Sequence, residues 1–306
     1  MFYYGFMEYL VVFNKSILPI ITIILIAFVY NRLFKPDIAQ IASVALNVFA
    51  PIMVFYSVLN NKITLSELFK PFIFMFALTA ALMLIAFAVA TALKLKGDNK
   101  ISLLLASSMI NVGNFGLPLI YFAYPKNAIA YSTVYFVIFN IPLITVAIYL
   151  TSRENNPLDV LKDILKMPIF YGFVVAIIMA EASIGLPKSI LKGFGLMNSG
   201  AIALLVFVLG LQLSNIKLRI NFIGIIITAV VIRLVISPVI SYILTGILDI
   251  RGLERSVSIV QTSTPSALLP LMYMIKFKRE SHLIAAIIFT STLLAGLTLP
   301  ILIGIL

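Results

Sequence analysis

The chain has 306 residues, 62% of them hydrophobic and 11% charged, and carries a net charge of +11. That is too apolar for one soluble domain and places the chain among polytopic membrane proteins. There is no cysteine, which excludes disulfides, thiolate zinc sites and cysteine nucleophiles. The basic residues lie between apolar stretches, so they read as topology and anionic-lipid signals rather than as a nucleic-acid surface.

In chain order, hydropathy predicts ten spans, at about 9–31, 38–59, 68–93, 101–123, 128–150, 166–184, 194–213, 221–247, 253–275 and 281–304. The first is long and lacks both a basic flank and a small-residue cleavage site, so no cleavable signal is expected. The longest connection, around Arg153-Glu154-Asn155-Asn156-Pro157, is where a half-way boundary falls. Loops after odd-numbered spans hold 13 Lys and Arg against 7 after even-numbered spans, with Arg153, Lys162, Lys217 and Arg219 among the 13. The excess predicts odd loops in the cytoplasm, both termini outside and a multi-pass chain in the cell membrane.

The fourth span contains Asn111-Val112-Gly113-Asn114-Phe115-Gly116-Leu117-Pro118. Gly and Pro loosen a helix and Asn competes for its backbone bonds. Asn111 sits roughly 15 Å from Ile101 at about 1.5 Å per residue, near the bilayer midplane. A break there must line a cavity or pack inside protein. The ninth span carries a partner break, Gln261-Thr262-Ser263-Thr264-Pro265-Ser266, followed by Pro270. Pro265 is expected in the first turn of a new half-helix, with Thr264 as its N-cap, and Pro118 in the same role in the fourth span.

A shift of 152 residues lays the fourth span on the ninth, Pro118-Leu119-Ile120-Tyr121 meeting Pro270-Leu271-Met272-Tyr273, and the second span on the seventh. Five spans per repeat would invert the second half, so the expected fold is all-α, with ten transmembrane helices as two inverted five-helix repeats, 1–152 and 153–306, whose interrupted helices 4 and 9 cross. Two half-helix N-termini near the midplane would favour an anion, with Asn111, Asn114, Gln261, Thr262, Ser263 and Ser266 adding neutral hydrogen-bonding groups.

The Asn-x-Gly-Asn-x-Gly-x-Pro interruption at 111–118 resembles that of the auxin efflux carrier family. So do Leu46-Asn47-Val48-Phe49-Ala50-Pro51 and Leu209-Gly210-Leu211-Gln212-Leu213, and more loosely Ser263-Thr264-Pro265-Ser266. The resemblance implies a fold like the bile-acid symporters and sodium/proton antiporters. It also implies a scaffold of spans 1, 2, 6 and 7 and a moving domain of spans 3–5 and 8–10. Plant members export the auxin anion and prokaryotic members are broader; this chain lacks the long central cytoplasmic loop of many plant members.

Arg233 falls about 12 residues into the eighth span, roughly 18 Å deep by helical rise, and no Asp or Glu lies at the middle of any span. An intramembrane Arg is a functional candidate. It either attracts a substrate carboxylate or pairs with backbone carbonyls at a broken helix. The missing acids argue against proton coupling through a carboxylate, whereas sodium on neutral oxygens near Gln261 and Asn114 fits a hard cation. The expected binding set is Asn111, Gly113, Asn114, Gly116, Pro118, Thr262, Ser263, Thr264, Pro265, Ser266, Arg233 and Asn47. The reading is a secondary transporter of a small organic anion, with a sodium-coupled symporter as the alternative. Expected partners are that anion, the bilayer and a second copy of the chain in a homodimer. No catalytic residue, metal ligand set or cofactor is expected, since no His/Cys/Asp cluster, paired intramembrane Asp or Gly-x-Ser-x-Gly motif occurs.

Overall fold

The computed structural model describes residues 2–152, 164–216 and 222–306. Arg153, Lys162, Lys217, Arg219 and the expected boundary at 153–157 lie outside the described residues. The described chain is helical, with a single isolated backbone bridge, Ile110 to Ser266.

Ten spans in two inverted halves do not describe this fold. Among the described residues, seven helices are long and apolar enough to cross a membrane. They are α1 (Met7–Phe34), α2 (Ile38–Asn60), α3 (Leu65–Ala92), α6 (Ala128–Thr151), α8 (Lys188–Ser214), α9 (Ile223–Ile247) and α12 (His282–Ile305). The expected fourth span is two pieces, α4 (Gly97–Ser108) and α5 (Val112–Ala123), and the ninth is α10 (Gly252–Thr262) and α11 (Leu269–Lys276). The sixth is only α7 (Pro168–Glu181), 14 residues, or about 21 Å at helical rise against a hydrocarbon core of about 30 Å. Windowed hydropathy averages across a break, so it merged half-helices into spans. The seven helices of crossing length among the described residues do not divide into two matched sets of five.

Four prolines shape the long elements by one mechanism. A helical proline has no N–H, and its ring crowds the carbonyl four residues earlier. Widening the preceding turn relieves both, and a π-turn is such a widening. The π-turns Phe13–Ile17, Ala45–Phe49, Val112–Gly116 and Ile232–Ile236 each end two residues before a proline: Pro19, Pro51, Pro118 and Pro238.

Close helix contacts are made at small residues, as expected where lipid gives no hydrophobic drive between helices. α8 packs along α1 and α2, and α7 packs along α2. A Cβ on Gly210 of α8 would stand 2.6 Å from Ala27 Cβ, and one on Gly172 of α7 would stand 2.7 Å from the Pro51 carbonyl oxygen. Polar ties hold the ends of the bundle. At one end Glu181 accepts from the Leu65 amide at 2.7 Å and Lys70 donates to the Asp249 carbonyl at 2.8 Å. At the other, Arg279 pairs with Asp98 at 2.8 Å.

Candidate functional site: a buried crossover of two broken helices

The two interruptions meet. The Asn111 amide donates to the Pro265 carbonyl and the Ala267 amide to the Met109 carbonyl, both at 2.9 Å. This antiparallel pair joins the α4–α5 linker to the α10–α11 linker. It explains how extended backbone persists in an apolar interior, since unpaired peptide groups there cost several kcal/mol each.

The helix ends at the crossover are satisfied almost group by group. At the C-terminus of α4, Ser108 Oγ donates to Leu104 O at 2.6 Å, Ser266 Oγ to Ala106 O at 2.6 Å and Arg233 Nη1 to Ser107 O at 3.4 Å. At the C-terminus of α10, Ser263 Oγ donates to Ile259 O at 2.6 Å and Thr264 Oγ1 to Gln261 O at 2.7 Å. Thr262 O there accepts from Ser237 Oγ at 3.0 Å and from Arg233 Nη2. A helix leaves its last four carbonyls without internal partners. The Ser/Thr cluster of the second break therefore serves those carbonyls.

Arg233 is wholly buried. Its guanidinium bridges C-terminal carbonyls of α4 and α10, Ser107 O and Thr262 O, and also bonds Ser237 Oγ. Among the described residues no carboxylate pairs with it. Ser237 and Ser241 follow it on α9 at intervals of four, and Ser241 Oγ shares a 2.8 Å bond with Thr262 Oγ1. The Arg-x3-Ser-x3-Ser stripe, continued by buried Thr245, fastens α9 to α10. Sequence reasoning missed it, although three small polar residues at four-residue spacing in an apolar helix were a readable signal.

Gln261 is the other clamp, its Nε2 donating to Val112 O and Ser132 O at 3.0 Å each. Gly116 gives it room, since a Cβ there would lie 3.0 Å from Gln261 Cγ. Gly113 packs under Phe136 with 2.6 Å between an added Cβ and the ring edge. Pro118 stands in the first turn of the regular α-helix Leu117–Ala123. Pro265, by contrast, is not the start of a half-helix. α11 begins at Leu269 with Pro270 in its first turn, because the Pro265 carbonyl is taken by the extended pairing. Thr264 accordingly caps nothing N-terminal.

Six polar side-chain atoms around the crossover are buried without a partner: Asn111 Nδ2, Ser107 Oγ, Ser132 Oγ, Thr133 Oγ1, Gln261 Oε1 and Arg233 Nε. Buried polar groups are otherwise nearly always bonded, so this cluster marks where a polar visitor would find hydrogen bonds. Ser107, Ser132 and Thr133 were not on the sequence-derived set. Asn114 is half-buried, and Asn47 is exposed, with Nδ2 donating to Ser43 Oγ at 3.0 Å, apart from the buried cluster.

A cavity of about 380 Å³ lies between α2 and α8 on one side and α11 and α12 on the other, and Leu268 and Leu271 belong to its wall. The first helical bond of α11 runs from Met272 N to Leu268 O, so the positive end of α11 opens there. Gln212 lines the same cavity with a buried, unpartnered Oε1. His282 lines it too, its Nε2 3.6 Å from Glu280 Oε1.

Seven membrane-length helices among the described residues, with a buried polar crossover, define a multi-pass membrane protein. The chain belongs to the membrane transport protein family, whose pattern matches residues 12–303. It is 29% identical to an uncharacterized transporter of Methanocaldococcus jannaschii over 205 residues, 65% of this chain and 66% of that one. It is 26% identical over 298 residues to an uncharacterized transporter of Methanothermobacter thermautotrophicus, covering 94% of this chain and 96% of the relative. Membership in a transport family supports a non-enzymatic role.

Proposed function

We propose that this membrane transport protein is a secondary transporter of a small organic anion, such as a carboxylate, working in the efflux direction. The observation that carries this reading is the charge balance of the crossover. Two half-helix C-termini and two N-termini meet there, each equivalent to about half an elementary charge, and these cancel in sign. The Arg233 charge is left over, buried and without a carboxylate among the described residues. Arg233 then acts chiefly by field on a ligand held by Asn111, Gln261, Ser132 and Thr133, because its Nη1 and Nη2 are taken by Ser107 O, Thr262 O and Ser237 Oγ and only Nε is left without a partner. The 380 Å³ cavity is of a size for a small organic molecule and is bordered by Leu268 and Leu271 at the positive end of α11. Packing of α7 and α8 on α1 and α2 supports a stationary block of these four helices, against which the crossover elements rock.

The sodium-coupled reading is favoured by one observation, the unpartnered Gln261 Oε1. Neutral oxygens of this kind suit a hard cation.

The deciding experiment is thermal melting of purified protein against small organic acids, each with and without sodium. A ligand at about 100 Kd stabilises the folded state by roughly 2.7 kcal/mol. A shift for a carboxylate without sodium supports the uniport reading, and one that requires sodium selects the symporter. No shift for any acid, in protein that melts cooperatively, rejects the anion site.

A further inference from the structure

A second space in the molecule has a chemistry unlike the crossover. Between α1 and α12 runs a groove of about 280 Å³, lined by Ile17, Ile24 and Phe28 of α1 and by Leu293 and Gly296 of α12, with Phe115 of α5 and Leu213 of α8 also bordering it. The one hydroxyl along it, Thr292, donates to Ile288 O at 2.7 Å, so the groove offers its occupant no free donor. From Ile17 to Phe28 is about 16 Å at helical rise, close to the depth of one leaflet of a core about 30 Å thick.

Phe28 also lines another, open space of about 610 Å³, bordered by Asn31, Arg32, Lys35 and Asn215. This is the end of α1, where the Lys35 amide closes the helix on Asn31 O at 3.0 Å and Lys35 adopts a left-handed φ of 45°. Both cations are exposed. The nearest acid in sequence, Asp37, turns its carboxylate to the Ala39 and Gln40 amides at the start of α2.

We propose that these two adjoining spaces bind a phospholipid with a net-anionic headgroup, one acyl chain in the α1–α12 groove and the headgroup, with no cation of its own to oppose them, against Arg32 and Lys35. A free phosphate ester would satisfy only the basic end and an uncharged lipid only the groove. Membrane-facing cations of this kind each contribute about fivefold in affinity for anionic lipid. Gly296 is what keeps the groove open. A Cβ there would meet only Ile17 Cγ2, at 3.7 Å, so a larger side chain is accepted by the backbone and fills the lipid's space.

The full chain, delipidated in mild detergent, is titrated with dioleoyl-phosphatidylglycerol or dioleoyl-phosphatidylcholine, and bound lipid is counted by native mass spectrometry. Phosphatidylglycerol is expected to be retained more than tenfold better. The double variant Arg32→Ala with Lys35→Ala, altered only at exposed positions, should lose that preference with its melting temperature unchanged. Gly296→Leu should reduce retention of both lipids alike. Equal retention of the two lipids by the unaltered chain, or an unchanged preference in the double variant, overturns the headgroup assignment. Full retention by Gly296→Leu overturns the groove. Competition by glycerophosphoglycerol at matched concentration would mean that a free phosphate ester is the ligand and reject the lipid.

Discussion

At the scale of single residues, the crossover separates two kinds of polar side chain that look alike in sequence. The hydroxyls of Ser263, Thr264 and Ser266 hold helix-terminal carbonyls, whereas those of Ser132 and Thr133 hold nothing within the described chain. Deleting a buried bond partner costs roughly 1–3 kcal/mol, while removing an unsatisfied hydroxyl is neutral or stabilising. Ser266→Ala should therefore lower the melting temperature by several degrees. Ser132→Ala and Thr133→Val should leave it unchanged or raise it while slowing transport in proteoliposomes. A loss of stability on Thr133→Val, or full transport after both changes, would remove these hydroxyls from the site. Arg233 belongs to both kinds. Arg233→Gln should lose transport and also fold stability, by about 1–3 kcal/mol for each carbonyl left bare. Chemical denaturation separates the two losses, and Arg233→Lys, which keeps the charge, should recover more transport than stability.

At the scale of elements, the sequence displayed the breaks but not their consequences. The Gly, Asn and Pro residues of 111–118 and the Ser/Thr/Pro run of 262–270 are visible without coordinates, and both sit where a helix stops. The number of crossing helices was not legible, because windowed hydropathy is blind to interruptions of three residues (109–111) and six residues (263–268) and gave α7 more length than its 14 residues. Nor was the register of the second break, because a proline after a threonine reads as a helix start. Only the α4–α5 linker, far away in sequence, makes Pro265 an extended residue. The π-turns were only partly legible: each of the four precedes a proline, but Pro142 and Pro300 lie inside α6 and α12 with no such turn. A prediction belongs here. Gly210→Val would push a β-branched side chain into Ala27 and the Ile24 backbone, 2.6 and 3.0 Å from an added Cβ. Overpacking of this sort costs about 1–3 kcal/mol. The expected outcome is a lower melting temperature with unchanged ligand selectivity, since the atoms nearest the added Cβ belong to Ala27 and Ile24 and none of the unpartnered polar atoms is among them. A shift in the preferred acid would instead mean that the α1–α8 spacing shapes the site.

At the scale of the whole molecule, the proposed anion efflux has an electrical signature. Moving one elementary charge through 100 mV is worth about 2.3 kcal/mol, close to a fiftyfold concentration ratio. With the potential clamped in proteoliposomes, an interior-negative voltage should drive a monovalent carboxylate outward to about that ratio, and collapsing the voltage should abolish the gradient. A gradient that persists at zero potential but follows sodium would transfer the driving force to the cation. The composition had already marked the chain as a membrane protein, and that conclusion was robust because no soluble interior could take up so much apolar surface. The seam on which the proposed motion runs was not deducible from composition, since it depends on α8 choosing α1 and α2 as neighbours.

The backbone pairing at the crossover also has a history within each molecule's synthesis. Ala106 and Ser266, joined by a hydroxyl bond, are 160 residues apart in the chain. A ribosome adding about 5–20 residues per second needs roughly 8–30 s to cover that interval. Throughout it, α4 and α5 exist without the partner strand that shields Met109 and Asn111, and without Arg233 for most of that time. The N-terminal segment must wait in a polar or protein-lined environment until the last quarter of the polypeptide is made. A nascent chain arrested before residue 260 should be readily degraded or retained by the insertion machinery, and co-expression of the missing C-terminal piece should rescue it.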